Sequence, residues 1–305
     1  MAKPNITWYT AVTSNIGVDL DMFSNRLHVE MDAFRRKRSG LLAQRNLSLP
    51  ETVGAGLPQE NLNSDLTKGF EILISHRNKI GDLGYVVSGN MSYSRSKNLF
   101  VERAAANNSY RNWRDNSSDR WNDIYWGYGY LGQFKSFEEI YASPIQDEKG
   151  NTTLIPGDLK YEDLNGDGII DGLDEKPITI ASRNPKIQFG TTIGLDYKGF
   201  DFNILFQGGT IYNMRYTEQL EAPLPWGRNG LNIFMDRWHK EDMFNPDSPW
   251  VSGKYPSTKS LADNGKASDF RVHNASYVRL KSVEFGYTIP KRLLGKVVQS
   301  VRVYT

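Results

Sequence analysis

Lys186-Ile-Gln-Phe-Gly-Thr-Thr-Ile-Gly-Leu-Asp-Tyr-Lys-Gly-Phe-Asp-Phe-Asn-Ile-Leu-Phe-Gln207 decides how this chain folds. In an extended backbone Ile187, Phe189, Thr191, Ile193, Leu195 and Tyr197 share one side, and Lys186, Gln188, Gly190, Thr192, Gly194 and Asp196 share the other. After Lys198-Gly199, the apolar side continues through Phe200, Phe202, Ile204 and Phe206, opposed by Asp201, Asn203 and Gln207. A period of two across a two-residue, glycine-containing turn is the signature of a β-hairpin, here with one greasy and one wet face.

The same pattern spreads outward. Ile16, Val18, Leu20 and Met22 alternate with polar residues up to a turn at Ser24-Asn25, and Leu27, Val29, Met31 and Ala33 follow. Phe70, Ile72 and Ile74 pair in pattern with Leu83, Tyr85, Val87, Met91 and Tyr93 across a turn at residues 78–81. Near the end, Val278 and Leu280 share one parity and Val283, Phe285, Tyr287 and Ile289 the other, a slip that a bulge near Ser282 repairs. About ten strands are expected, joined alternately by short turns and by long segments at 37–66, 96–185 and 208–268. Alternation alone suits a soluble β-sandwich or a membrane barrel. Strand length, aromatic strand ends at Tyr197, Phe200 and Tyr287, and the loop asymmetry favour an all-β, antiparallel transmembrane β-barrel, partial, with long extracellular loops.

Composition agrees. Hydrophobic residues make up 39% of the chain and aromatics 12%, with a mean hydropathy of −0.55. A barrel shows lipid on only one face of each strand, so its average hydropathy stays low. No run reaches the roughly 18 to 20 apolar residues of a membrane-crossing helix. The absence of Cys excludes disulfides and thiol chemistry, and a net charge of +2 from 37 basic and 35 acidic residues gives no reason to expect nucleic acid. The opening MAKPNITWYT has no apolar core of a secretory signal, so an exported protein would begin upstream.

Several stretches resemble the C-terminal half of SusC/RagA TonB-dependent outer-membrane proteins. Pro156-Gly-Asp-Leu-Lys-Tyr-Glu-Asp-Leu-Asn-Gly-Asp-Gly-Ile-Ile-Asp171 is similar to that family's signature loop, and Asn184-Pro185, Phe189-Gly190, Tyr197-Lys-Gly-Phe-Asp-Phe202 and Phe206-Gln-Gly208 follow in its order. Ser268-Asp-Phe270, Asn274-Ala-Ser-Tyr-Val-Arg-Leu-Lys281 and Phe285-Gly-Tyr-Thr-Ile-Pro290 resemble its late strands, and residues 13–42 and 127–140 two earlier segments. The resemblance implies a partial receptor barrel over residues 1–305 without the plug domain, truncated at both ends relative to a family barrel of twenty-two strands. It implies an outer-membrane transporter of oligosaccharides or peptides in a Bacteroidetes-like bacterium, surrounded by outer-membrane lipid, capped by a SusD-like lipoprotein and driven by the TonB complex through the plug. The alternative is a soluble, calcium-stiffened, carbohydrate-binding β-sandwich.

Two loop features carry candidate chemistry. Asp163, Asn165, Asp167, Asp171 and Asp174, with the Ile169 carbonyl, stand at calcium-loop spacing around Gly168, so Ca2+ is the one cofactor expected. The same residues also suit a polar turn whose side chains cap their own backbone. Trp113, Trp121, Tyr125, Trp126 and Tyr128 mix flat rings with Arg and Asn, a composition that stacks on sugars or simply packs loops; Trp226, Trp238 and Trp250 form a second set. His28, His76, His239 and His273 have no metal-ligand spacing, and no nucleophile or acid–base pair suggests an enzyme.

Overall fold

In the computed structural model, described for residues 6–44, 58–180, 184–216, 220, 229–257, 265–294 and 297–305, the chain divides into two units. The first comprises residues 1–122, 182–212 and 275–305, and the second residues 123–181 and 213–274. Trp226 lies outside the described residues.

The first unit is a nine-stranded antiparallel sheet. Its strands are β1 (Thr10–Met22), β2 (Leu27–Gln44), β3 (Gln59–Ile80), β4 (Leu83–Phe100), β5 (Arg120–Trp121), β6 (Ile187–Tyr197), β7 (Phe200–Thr210), β8 (Tyr277–Thr288) and β9 (Arg302–Tyr304). They pair in the order β1-β2-β3-β4-β6-β7-β8-β9, with β5 beside the far end of β4. Among the described residues the sheet stays open, with β1 and β9 as its edges.

Register turns the alternation into rows, because residues paired across antiparallel strands share a face. Val18, Met31, Ile72, Met91, Phe189, Gly208 and Val278 form one row across seven strands. One residue along, Asp19, Glu30, Leu73, Asn90, Gly190, Gln207 and Arg279 form a row on the opposite face. A sandwich would keep the apolar rows dry, yet Ile16, Val278 and Leu280 are 74%, 68% and 54% exposed. The fold is the barrel-wall type and not the sandwich.

Short turns close one end of the sheet. Lys198 and Gly199 take left-handed φ of 48° and 91°, the geometry that lets two residues reverse a twisted hairpin. A side chain at Gly199 would stand 3.0 Å from the Thr288 carbonyl. The bulge foreseen near Ser282 is present: Leu205 pairs with Ser282 and Phe206 with Leu280, so Lys281 is the extra residue.

The loop expected over 37–66 is shorter than its sequence suggests, since β2 runs on to Gln44 and β3 begins at Gln59. Alternation fades there because both faces are polar, while the ladder continues. Arg38 holds Asp65 through two hydrogen bonds, and the Thr67 and Ser96 hydroxyls meet at 2.9 Å.

The second unit contains the packed core. Phe134, Ile140 and Leu154 form one buried cluster, and Tyr128, Leu159, Tyr161 and Ile170 another. Tyr130–Gln133 pairs with Leu159–Tyr161, and Ile124–Gly127 with Lys176–Ile180, so the expected loop is built of short ribbons. A five-residue helix, Phe137–Tyr141, is capped by Ser136, whose hydroxyl accepts from the Glu139 amide. Among the described residues no helix is long and apolar enough to cross a membrane.

Candidate functional site

The sheet supplies a water-facing wall. Glu30, Asp32, Glu71, Asn90, Gln188 and Gln207 line a hollow of about 560 Å³ on its wet side. Their placement follows from period two: every residue here neighbours, in sequence, one on the apolar side. Such a wall can hydrogen-bond a polar solute without trapping it in a dry pocket.

The carboxylate turn of the second unit is organised around its own amides. Asp163 accepts from Gly166 N at 2.7 Å and Gly168 N at 2.9 Å, Asn165 from Asp167 N at 2.9 Å, and Asp167 from Ile169 N at 2.8 Å. Asp171 accepts from Leu173 N at 2.7 Å. Asp174 is fully buried and accepts from Asp171 N at 2.8 Å, Leu164 N at 2.9 Å and Asn165 N at 3.5 Å. Among the described residues no three acidic or His side chains are gathered as a metal ion requires. In this conformation the side chains of the expected Ca2+ loop cap their own turn.

A neighbouring turn shows the same economy. Burial disfavours the Asp147 carboxylate, but hydrogen bonds from the Thr153 amide and hydroxyl and from the Lys149 and Asn151 amides outweigh it and hold its pKa at about 2. Lys160, at 2.8 Å, and the Lys135 amide keep Glu139 below the usual carboxylate range.

The first aromatic set is split between the units. In the first, Trp113 sits on the helix Ser109–Asp115, 51% exposed, with the Arg120 guanidinium 5.4 Å from its ring centre. Trp121 is covered by Arg95, 4.4 Å from its ring, and by Lys68 at 5.5 Å. In the second unit Tyr125 and Trp126 are half-buried on Ile124–Gly127, and Arg215 lies 5.8 Å from the Tyr125 ring. Tyr128 is core, its ring 5.6 Å from that of Tyr161. Trp113 is the most open platform of the set.

A further arrangement escaped the sequence pattern. Phe137, Trp238, His239, Met243 and Trp250 line a cavity of about 320 Å³ in the second unit, with Arg237 and Lys240 at its margin. Trp238 anchors it, donating from Nε1 to Gln133 Oε1 at 3.1 Å. Flat rings and a thioether beside cations suit a ligand with an apolar face and a carbonyl or carboxylate edge. Trp238 and Trp250 are set together by their recurrence in the sequence, whereas Phe137 is about a hundred residues away and joins them only in the fold.

No family model matches the chain. TonB-dependent receptor P3 of Formosa agariphila is 30% identical over 99% of this chain and 29% of its own length. TonB-dependent receptor SusC of Bacteroides thetaiotaomicron is 23% identical over 93% of this chain and 26% of its own. A solved structure of the RagAB peptide transporter superposes with a TM-score of 0.67, covering 100% of this chain and 32% of that one at 19% identity. These relatives are receptors and transporters, and the chain spans about three tenths of the length of the curated ones named here. Along nearly its whole length the chain is homologous to TonB-dependent receptors of the SusC/RagA type.

Proposed function

We propose that the chain forms barrel wall and extracellular loops of an active outer-membrane importer of oligosaccharides or peptides. The observation that carries this reading is the pair of rows crossing seven strands, one apolar but for Gly208, with Val18, Met31 and Val278 exposed, the other polar but for Leu73 and Gly190. Lipid satisfies the first and a water-filled lumen the second, and a barrel leaves no backbone group unpaired between them. The aromatic bracket has the right height. Tyr93 pairs with Ile187, and ten residues further along β6 Tyr197 pairs with Phe200. Ten steps of about 3.3 Å, tilted by about 40°, span about 25 Å, the height of an outer-membrane apolar band.

Similarity to TonB-dependent receptors supports uptake coupled to TonB, and the likeness to the RagAB peptide transporter supports peptide cargo. In this reading the TonB complex acts through a plug, and a SusD-like lipoprotein closes over the loops. The Trp238–Trp250 cavity and Trp113 are the cargo contacts.

The test is uptake by cells carrying the native reading frame or a deletion of it, supplied with labelled oligopeptides and oligosaccharides. Accumulation of one class that disappears on deletion and on dissipation of the proton gradient is the expected result. Equal uptake of both classes with and without the gene would reject the proposal.

A further inference from the structure

Just beyond the apolar band, the lipid side of the sheet changes character. The row Ile16, Ala33, Phe70, Tyr93 is followed, two residues towards the long-loop end, by Ser14, Arg35, Lys68, Arg95. The next row on that face is Val12, Lys37, Leu66, Lys97, Trp121. Five cations thus stand side by side on three strands, β2, β3 and β4. Lys97 pairs with the exposed Asp119 at 2.6 Å, whereas Arg35, Lys37 and Lys68 have no carboxylate partner among the described residues. Arg95 and Lys68 stand over the Trp121 ring, 4.4 Å and 5.5 Å from its centre, which restricts where these two heads can reach.

A shallow depression lies at the junction. It has a volume of about 550 Å³, and Ile16, Ala33, Phe70 and Tyr93 line it on the band side, with Arg35 and Lys68 on the other. Its walls are almost wholly apolar, as an acyl chain requires, and Arg35 and Lys68 border it on the long-loop side.

We infer that this surface binds an anionic lipid of the outer leaflet, its phosphate held by Arg35 and Lys68 and an acyl chain lying in the depression. The inference rests on the membrane reading above. Short turns mark the periplasmic end of outer-membrane barrels and long loops the outside, which places the cations at the outer headgroup level. Cations at that height attract anionic headgroups, and Arg grips phosphate through paired N–H donors. A substrate in the lumen cannot use these side chains, because parity directs them away from it.

The test uses the protein of the native reading frame, extracted in neutral detergent, titrated with a bisphosphorylated glycolipid, with the same lipid after dephosphorylation, and with inorganic phosphate. The unfolding midpoint and the lipid retained after gel filtration are read. The phosphorylated lipid is expected to bind and raise the midpoint, with little effect from the other two. R35Q/K68Q should weaken binding about thirtyfold, while R36Q, on the opposite face of β2, should leave it unchanged. Equal binding of the dephosphorylated lipid, an equal effect of free phosphate, or unaltered binding by R35Q/K68Q would overturn the inference. The wild-type lipid comparison decides even where the double variant does not fold. Extraction without detergent would instead refute the membrane reading itself.

Discussion

Replacing Ile74 by Lys should destabilise the protein in a bilayer, while the same change one residue on should not. Ile74 is 48% exposed on the apolar side of β3, in the row Leu20, Val29, Ile74, Gly89. It lies four residues from Phe70, about 13 Å along the strand and about 10 Å in depth at a tilt of about 40°, close to the middle of the apolar band. An ammonium held there costs about 2 to 4 kcal/mol, less whatever the side chain recovers by snorkelling. Ser75 pairs with His28 and Ser88 on the wet side, where a Lys stays hydrated and the change should lie within about 0.5 kcal/mol. Urea unfolding of the native-frame protein in vesicles, followed by Trp fluorescence, measures both. A neutral I74K, or an S75K at least as damaging, would refute the assignment of faces.

Four further outcomes concern the second unit. Asn at position 174 has one acceptor oxygen in place of two, so D174N should leave at least one part-buried amide without its side-chain acceptor, costing about 1 kcal/mol and speeding hydrogen exchange at Leu164 and Asp171. Neither calcium nor a chelator should alter that exchange in the wild type, and protection on adding calcium would show that the carboxylates can turn to a shared ion. The Asp147 carboxyl, held at about 2, contributes stability that is complete above its unfolded value of about 3.9 and lost as pH falls through about 2. D147N should therefore flatten the acid side of the stability profile by about 1 kcal/mol after allowance for partial exposure, and an unchanged acid limb would count against those hydrogen bonds. Gly157 has φ +94°, and an added Cβ would collide with the Trp238 Cβ. G157A should cost about 2 to 5 kcal/mol, visible as a lower unfolding midpoint, and an unchanged midpoint would contradict the packing around Trp238.

Much of the sheet is legible in the sequence because one physical demand, lipid on one side and water on the other, is written at period two. The 186–207 hairpin and the phase slip at Lys281 are read directly from that demand. Where it lapses, so does the signal. The outer parts of β2 and β3 are polar on both faces, and only the ladder, with Arg38 against Asp65, reveals them as strand. The second unit is less legible still, because Phe134 meets Leu154 through ribbons joining segments far apart in sequence. Residues 163–174 show a different limit: one set of oxygens at one spacing serves a cation or a capped turn, and only the direction of the side chains separates them. Tyr128 carries the same lesson, since an aromatic in a polar stretch gives no sign of whether it is platform or core.

Residues 1–305 contain no Cys, so in a native-frame protein with any Cys outside them replaced, a single introduced thiol reports the face on which it stands. Ile72 and Leu73 are neighbours of nearly equal hydrophobicity that register places on opposite sides of β3. With a fluorophore on I72C or L73C in vesicles, brominated acyl chains should quench the label at 72 and leave that at 73 to an aqueous quencher. Equal quenching of the two, or lipid quenching at 73 alone, would contradict the division into a lipid face and a lumen face.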